Sequence, residues 1–270
     1  MAQLPDPTVL ILAGQRLGRV DPLAAKYGVE HKCLVPLLDR PLIGYVLDAV
    51  DQAFPGCRIV VSINDPHALD DVPEVRPFVE AGRLTTAASA SNLLESLLTV
   101  ADGVGYPLLV TTGDNVLMTP DALRAFHAFA LAENADAVAM FARKEDILAA
   151  HEEGQPRFWE FRDGAFSGCN TFWLKNRDAV ATAEIFRGGG QFLKFPKRFV
   201  GAFGLGNLIG FRLGLFTVDR MLSRVSRRFG KRIRAQIVSD GRLAIDVDNE
   251  FSHLVAQRLL SSRPTPEWSL

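Results

Sequence analysis

Glycines and basic residues follow the first apolar segment of the chain, and together they could bind phosphate. Residues 9–12 are apolar, and Gly14 and Gly18 come soon after them. Phosphate oxygens are bound by backbone N–H groups and by cations, and glycine lets a backbone approach closely. The spacing fits neither GxxxxGK[ST] nor GxGxxG, so an ordinary connecting loop with solvated arginines stays open as the alternative. The cationic candidates are Arg16, Arg19 and Lys32.

Three aspartates are spaced to bind a divalent cation. Asp114 follows an apolar run that ends in Thr-Thr-Gly, while Asp246 and Asp248 flank Val247 near the end of the chain. Ligands of open α/β sheets bind beyond the carboxyl ends of strands, and Mg²⁺ takes one or two protein carboxylates together with substrate phosphates. Alternation along a strand would put Asp246 and Asp248 on the same side, and together with Asp114 they could complete a metal site. The alternative is that these aspartates only cap the turn and the helix that follow.

Strands and helices alternate over the first half of the chain and would position these residues. Short apolar runs predict buried strands at 9–12, 58–63, 107–110 and 137–141, and segments with helical periodicity lie between them. This alternation favours a mostly parallel, doubly wound sheet with helices on both faces, which is a three-layer α/β/α fold.

The pattern changes after residue 150 or so. Asp163-Gly164 lies between two apolar runs and predicts a β-hairpin. Asp240-Gly241 predicts a second, C-terminal β-hairpin from residues 233–238 and 243–247. Residues 187–230 are interpreted as a helical insertion. We expect a single domain over residues 1–270, with a nucleotide-binding half at 8–150 and a frayed tail at 263–270. The half at 151–262 would bind a second substrate, called the acceptor below.

Composition excludes several classes of protein. The chain has 270 residues, 48% of them hydrophobic, and a net charge of −1, so no global field attracts nucleic acid. Cys33, Cys57 and Cys169 show no CxxC spacing, which indicates reduced thiols in a cytoplasmic protein. The start of the chain lacks the pattern of a signal peptide, and no unbroken apolar run reaches transmembrane length.

Basic and aromatic residues concentrate between Arg187 and Arg234. Within this segment, Lys194 and Lys197 are the best candidates to bind an acceptor phosphate. We favour an amphipathic helix that packs on the sheet and leaves its basic residues in solvent. A dimer interface and a peripheral contact with a membrane stay open as alternatives, and so does the oligomeric state.

Three segments resemble, in order and spacing, the MobA-like nucleotidyltransferases, which have a GT-A-type, Rossmann-like fold. They match the family's glycine-rich loop with its lysine and first helix, the strand that ends in a metal-binding aspartate, and the C-terminal acidic segment. In this chain they read LILAGQRLGR…HKCLVPLLDRPLI, TTGDNVL and AIDVDNEFSHLVAQ. The chain departs from the family at Leu17, at His31 and at residues 249–250, and it inserts residues 20–30, which we interpret as a lid over the triphosphate.

The resemblance implies a role for each matching residue. Nucleotide contacts would come from Ala13, Gly14, Gln15, Arg16, Gly18, Ser91 and Asn92. Arg19 and Lys32 would bind the triphosphate and stabilise the leaving pyrophosphate, which makes them catalytic candidates together with Asp114. Asp114 and Asp248 would hold Mg²⁺ as the cofactor, with Asp246 ranked behind them as a ligand. Asn170 lies on the strand that would touch the acceptor.

The implied reaction moves an NMP group from an NTP to a phosphorylated sugar, polyol or similar small acceptor and releases pyrophosphate. Such a transfer depends on positioning and on neutralising charge, so the absence of a Cys-His or Ser-His pair is no evidence against this reaction. CTP is mildly favoured, and a molybdenum-cofactor guanylyltransferase is the alternative within the class. A glycosyltransferase that uses nucleotide sugars and a non-catalytic nucleotide sensor are the alternatives outside it.

Overall fold

The protein is described by a computed structural model, which covers residues 6–15, 20–154, 157–186, 210 and 213–262 of the chain. Elements are numbered in chain order within these residues. The strands are β1 (Thr8–Leu12), β2 (Pro36–Leu37), β3 (Arg40–Pro41), β4 (Ile59–Ile63), β5 (Leu84–Ala88), β6 (Leu108–Thr112), β7 (Ala137–Arg143), β8 (Trp159–Phe161), β9 (Gly164–Leu174) and β10 (Ile233–Val238). The helices are α1 (Pro22–Lys26), α2 (Leu42–Ala53), α3 (Arg76–Glu80), α4 (Leu93–Val100), α5 (Pro120–Ala132), α6 (Lys144–Ala150), α7 (Val218–Phe229) and α8 (Glu250–Ser261), and 3-10 helices form at Lys32–Leu34, Arg177–Phe186 and Gly241–Ala244.

A mostly parallel sheet forms the centre of the fold. Its strand order is β10-β7-β9-β6-β1-β4-β5, and β8 pairs with β9 at the side. β1 runs parallel to both β4 and β6, β5 runs parallel to β4, and β10 runs parallel to β7. β9 is inserted antiparallel between β6 and β7. The predicted α/β class is therefore confirmed, with one strand in the middle of the sheet running against the others.

Helices cover both faces of the sheet, as the three-layer prediction requires. Alternate side chains of a strand point to opposite faces. Val9 and Ile11 of β1 pack in one core cluster with residues of α2, α5 and α8, while Leu10 and Leu12 pack in a second cluster with residues of α4 and α7. All five residues of β1 are buried, which explains why the sequence shows a continuous apolar run there.

The predicted C-terminal β-hairpin is wrong. β10 pairs in parallel with β7, and the segment after Asp240 turns into the 3-10 helix Gly241–Ala244. Gly241 is pressed onto the backbone of α6, since a Cβ built there would lie 2.1 Å from the Asp146 carbonyl oxygen. The Asp240 carboxylate accepts a hydrogen bond from the Arg242 N–H at 3.1 Å and caps this turn. Gly241 is therefore required by close packing on α6 and not by a hairpin turn.

The hairpin predicted at Asp163-Gly164 is confirmed, because Phe161 of β8 lies opposite Gly164 of β9. Within the described residues, no helix is both long enough and apolar enough to cross a membrane. Most of the basic, aromatic insertion, including Lys194 and Lys197, lies outside the described residues, as does the tail from residue 263. Their roles stay predictions.

The inserted residues 20–30 pack on the last helix of the protein. Asp21 caps α1, accepting a hydrogen bond from the Leu23 N–H at 2.9 Å. Lys26 forms an ion pair with Glu250, and the Tyr27 ring lies 5.1 Å from the ring of the buried His253 in α8. The described part of the insertion is thus attached to α8, which begins directly after the acidic segment.

Candidate active site

The loop after β1 begins at the edge of the sheet where the parallel strands β1, β4, β5 and β6 end. Backbone hydrogen bonds extend this edge beyond the strands, from the Ala13 N–H to the Ser62 carbonyl (2.8 Å) and from the Gly113 N–H to the Leu12 carbonyl (3.0 Å). Gly14 packs against Ser89, and a Cβ at position 14 would lie 2.5 Å from the Ser89 Cβ. Gly14 was predicted to let the backbone approach a phosphate, and its contact with Ser89 is a structural reason for a glycine as well.

Gln15 is held in place by Asn64, a residue that was not predicted from the sequence. The Asn64 side chain accepts a hydrogen bond from the Gln15 N–H at 2.6 Å and donates one to the Gln15 carbonyl at 2.9 Å. Gln15 in turn donates its side-chain N–H to the Glu30 carbonyl at 2.7 Å. Asn64 directly follows β4, so its place at the end of a parallel strand is the signal that could have found it. Arg16, Gly18 and Arg19 lie outside the described residues.

The three aspartates meet at the same edge. Each of Asp114, Asp246 and Asp248 offers a carboxylate oxygen, and these oxygens all lie within 4.8 Å of one another. The buried Val247 between two of them donates its N–H to the Asp114 carbonyl at 3.2 Å, so the acidic segment is fastened to the end of β6. We expected a strand to bring Asp246 and Asp248 together, but an extended segment after a 3-10 helix does so.

Lys32 lies between two of these carboxylates. Its ammonium is 2.5 Å from Asp114 Oδ2 and 2.7 Å from Asp248 Oδ1, and the Lys32 side chain is only 17% exposed. Burial lowers the pKa of Lys32, but the two adjacent carboxylates outweigh burial and hold the pKa above its ordinary value. The ammonium therefore stays charged and balances part of the negative charge of the cluster.

Asp246 is partly buried beside the two other aspartates. Burial is the largest cause that raises the pKa of its carboxyl, and the negative charges of Asp248 and Asp114 raise it further, whereas Lys32 opposes both. The amide of Asn170 donates a hydrogen bond to Asp246 Oδ2 at 2.9 Å. Asn170 was predicted to touch an acceptor, and the structure places it against the acidic cluster.

The chemistry of the cluster fits a divalent cation with oxygen ligands. One oxygen of Asp114, Oδ1, is buried and has no hydrogen-bond partner within the described residues. A buried carboxylate oxygen without a partner is costly unless a ligand satisfies it. Together with the close approach of the two other carboxylates, this oxygen makes Asp114, Asp246 and Asp248 suitable ligands for Mg²⁺ or a similar ion.

The residues before α4 follow β5, which ends at the same edge of the sheet. Asn92 caps α4, accepting a hydrogen bond from the Glu95 N–H at 3.0 Å, and the Ser91 hydroxyl donates to the Glu95 carboxylate. The hydroxyl of Ser89, which faces Gly14, is buried without a hydrogen-bond partner in the described structure. Nucleotide contacts by Ser91 and Asn92 stay predictions, and Ser89 is a further polar group beside the loop.

The buried cysteines are poor candidates for a nucleophile. Cys33, Cys57 and Cys169 are free thiols, and all three are buried. Burial, with the charge of Asp114, raises the pKa of the Cys33 thiol to about 12, and burial raises the pKa of Cys169 as well. Neither thiol supplies a thiolate at neutral pH.

The sheet order and the acidic cluster at the end of β6 describe an α/β protein with a candidate cation site at one edge of its sheet. The model of the MobA-like NTP transferase domain matches residues 9–202, and the chain belongs to that family. The resemblance to this family is thus confirmed, and the C-terminal acidic segment lies beyond the matched residues. No curated protein matches the chain.

Solved structures share the fold over nearly the whole chain. A hypothetical transferase from Thermus thermophilus is 25% identical with a TM-score of 0.71, and the match covers 92% of this chain and 99% of that one. A putative glucose-1-phosphate thymidylyltransferase from Bacillus anthracis is 14% identical with a TM-score of 0.58, covering 96% of each chain. A CMP:2-keto-3-deoxy-manno-octonic acid synthetase complexed with CTP is 13% identical with a TM-score of 0.55, covering 94% of this chain and 98% of that one.

Proposed function

We propose that this protein transfers an NMP group from an NTP to the phosphate of a small phosphorylated acceptor, with a divalent cation, Mg²⁺, held by Asp114, Asp248 and Asp246. The observation that carries the proposal is the meeting of three carboxylates and Lys32 at the sheet edge where the loop of Gly14 begins. A triphosphate needs cations, and this edge brings the Lys32 ammonium together with carboxylates suited to a divalent cation.

The transfer exchanges one bond to phosphorus for another. An oxygen of the acceptor phosphate forms a bond to the α-phosphorus, the bond from that phosphorus to the bridging oxygen of the β-phosphate breaks, and pyrophosphate leaves with the electron pair. The acceptor phosphate is already anionic, so no protein group has to act as nucleophile. Lys32 binds the triphosphate oxygens and offsets the charge that builds up on the leaving group, and Arg19 is proposed to share this task. A bound Mg²⁺ would neutralise phosphate charge.

The acceptor is proposed to be a sugar phosphate or polyol phosphate, with CTP as the nucleotide. Two similar folds support this choice by their names, since one is a CMP-sugar-acid synthetase solved with CTP and the other a putative glucose-1-phosphate thymidylyltransferase. Lys194 and Lys197 are proposed to bind the acceptor phosphate. Guanylyl transfer to a molybdenum cofactor is the alternative within the family.

Pyrophosphate release tests the reaction. The purified protein is mixed with Mg²⁺, each of the common NTPs and a panel of sugar, inositol and glycerol phosphates. Asp114→Asn removes a carboxylate from the cluster and should abolish turnover. Asp121→Asn is the matched control, because Asp121 is 92% exposed and pairs only with Arg124 among the ion pairs that the described residues form. Absence of pyrophosphate with every pair would refute the proposal.

A nucleotide-sugar-dependent glycosyltransferase is a second candidate, because Asp246-Val247-Asp248 is a DxD segment that joins the acidic cluster. This class releases a nucleoside diphosphate from a nucleotide sugar and no pyrophosphate from an NTP. The same protein incubated with nucleotide sugars therefore separates the two reactions by their products.

A further inference from the structure

The strand β9 contains an irregularity at the point where it passes the acidic cluster. Ala139 of β7 lies opposite Phe172 and Phe141 lies opposite Gly168, so one residue of β7 faces three residues of β9. The extra residues form a bulge over residues 169–171. Bulges of this kind re-aim a side chain and occur beside functional sites.

Asn170 is the residue that this bulge re-aims. Its φ angle is +49°, in the left-handed region that most residues avoid and that asparagine tolerates better than most. In this conformation its amide donates a hydrogen bond to Asp246 Oδ2 at 2.9 Å. A hydrogen bond to one oxygen fixes the rotation of a carboxylate and lets it present the other oxygen to a cation.

Asn115, the residue that directly follows Asp114, holds the bulge by hydrogen bonds. Asn115 is 2% exposed, and its amide donates to the Cys169 carbonyl at 2.9 Å and lies 3.3 Å from the Thr171 hydroxyl. The Thr171 hydroxyl donates to the same carbonyl at 3.0 Å. A fully buried amide that is satisfied in this way rigidifies its surroundings. Asn115 and Asn170 thus join the end of β6, which carries one carboxylate of the cluster, to Asp246.

We propose that Asn170 is a positioning residue for the divalent-cation site and that Asn115 supports it by holding the bulge of β9. This inference rests on the proposed metal-dependent transfer, and it reassigns Asn170 from the acceptor to Asp246. Hydrogen bonds to metal ligands of this kind typically change metal affinity by about 10- to 100-fold when they are removed.

The test measures Mn²⁺ affinity of the whole protein by the EPR signal of free Mn²⁺, without nucleotide or acceptor. Asn170→Gly removes the amide but keeps a residue that adopts a positive φ without strain. Asn134→Gly is the matched control, since Asn134 also has a positive φ, of 45°, and its side chain accepts a hydrogen bond from Lys175 instead. We expect Asn170→Gly to bind Mn²⁺ at least about 10-fold more weakly than the wild type and Asn134→Gly to bind it equally well.

Two further measurements separate positioning from other roles. Asn115→Ala should also weaken Mn²⁺ binding, and combining it with Asn170→Gly should add little, because both act through one contact with Asp246. In the transfer assay, a higher Mg²⁺ concentration should restore the rate of Asn170→Gly. Unchanged Mn²⁺ affinity in Asn170→Gly overturns the proposal, and a raised KM for the acceptor alone would return Asn170 to acceptor binding.

The experiments distinguish failure of the proposed function from failure of this inference. A wild-type protein that binds Mn²⁺ but releases no pyrophosphate would refute the transfer reaction, and the comparison of Asn170→Gly with Asn134→Gly would still decide the positioning role. A wild-type protein that binds no Mn²⁺ at millimolar concentration would overturn the positioning role itself.

Discussion

Replacing Lys32 by methionine should change metal binding and catalysis in opposite directions. The Lys32 ammonium and the Asp114 carboxylate are mostly buried, at 17% and 16% exposure, and they lie 2.5 Å apart. A hydrogen bond between charged groups in such a setting contributes about 1.5–3 kcal/mol. The second pair adds less than about 1 kcal/mol, since exposed ion pairs are weak and Asp248 is 64% exposed. A divalent cation entering the cluster competes with both pairs.

Lys32→Met should therefore bind Mn²⁺ more tightly by about 2–3 kcal/mol, or about 30- to 150-fold, when no nucleotide is present. Pyrophosphate release should fall in the same variant, because Lys32 no longer neutralises the triphosphate. EPR titration of free Mn²⁺ and the pyrophosphate assay measure the two effects.

The matched control is Lys26→Met. Lys26 forms one ion pair with Glu250, and these side chains are 51% and 64% exposed. The control should leave Mn²⁺ affinity and turnover close to those of the wild type. If Lys32→Met binds Mn²⁺ no more tightly than the wild type does, Lys32 does not compete for the carboxylates and the charge balance inferred for the cluster is wrong.

Three further substitutions test how the site is supported. Gly14→Ala places a Cβ 2.5 Å from the Ser89 Cβ and should lower the free energy of unfolding, measured with denaturant, by about 1–3 kcal/mol. Adding Ser89→Gly should restore much of the loss. A Gly14→Ala variant as stable as the wild type would show that the loop shifts to relieve the contact. Gly241→Ala should destabilise more, since its Cβ would meet backbone atoms of α6, whereas Gly103→Ala should change the Tm little because the nearest atom is 3.8 Å away. Asn64→Ala frees the backbone of Gln15 and should raise the KM for the NTP by about 10-fold with a smaller change in kcat; an unchanged KM would separate this loop from nucleotide binding.

Much of the framework could be predicted because it depends on local signals. The apolar runs of β1, β4 and β6 are continuous since these strands are buried on both faces. Asp114 could be found because it follows such a run. The hairpin at Asp163-Gly164 follows from turn chemistry alone.

Features set by contacts between distant segments could not be predicted. Asp240-Gly241 has the composition of a hairpin turn, but the glycine is required by the backbone of α6, almost a hundred residues earlier. Asn115 lies in the segment TTGDNVL and Asn170 was predicted to touch an acceptor, but neither signal shows the bonds they make. Asn64, Asn115 and Asn170 each acquire their role from a partner on another strand or loop. Lys32 was assigned to phosphate from its place after the loop and from a resemblance, and its pairing with Asp114 and Asp248 appears only in three dimensions.

The most direct test of the central claim is a mass balance of the reaction. The wild-type protein is incubated with CTP, Mg²⁺ and the acceptor that releases most pyrophosphate, and the products are quantified by mass spectrometry. Nucleotidyl transfer predicts one NMP-linked acceptor for each pyrophosphate, with both absent in Asp114→Asn. Pyrophosphate formed together with free NMP and without a linked acceptor, or equal product yields from Asp114→Asn, would contradict the account.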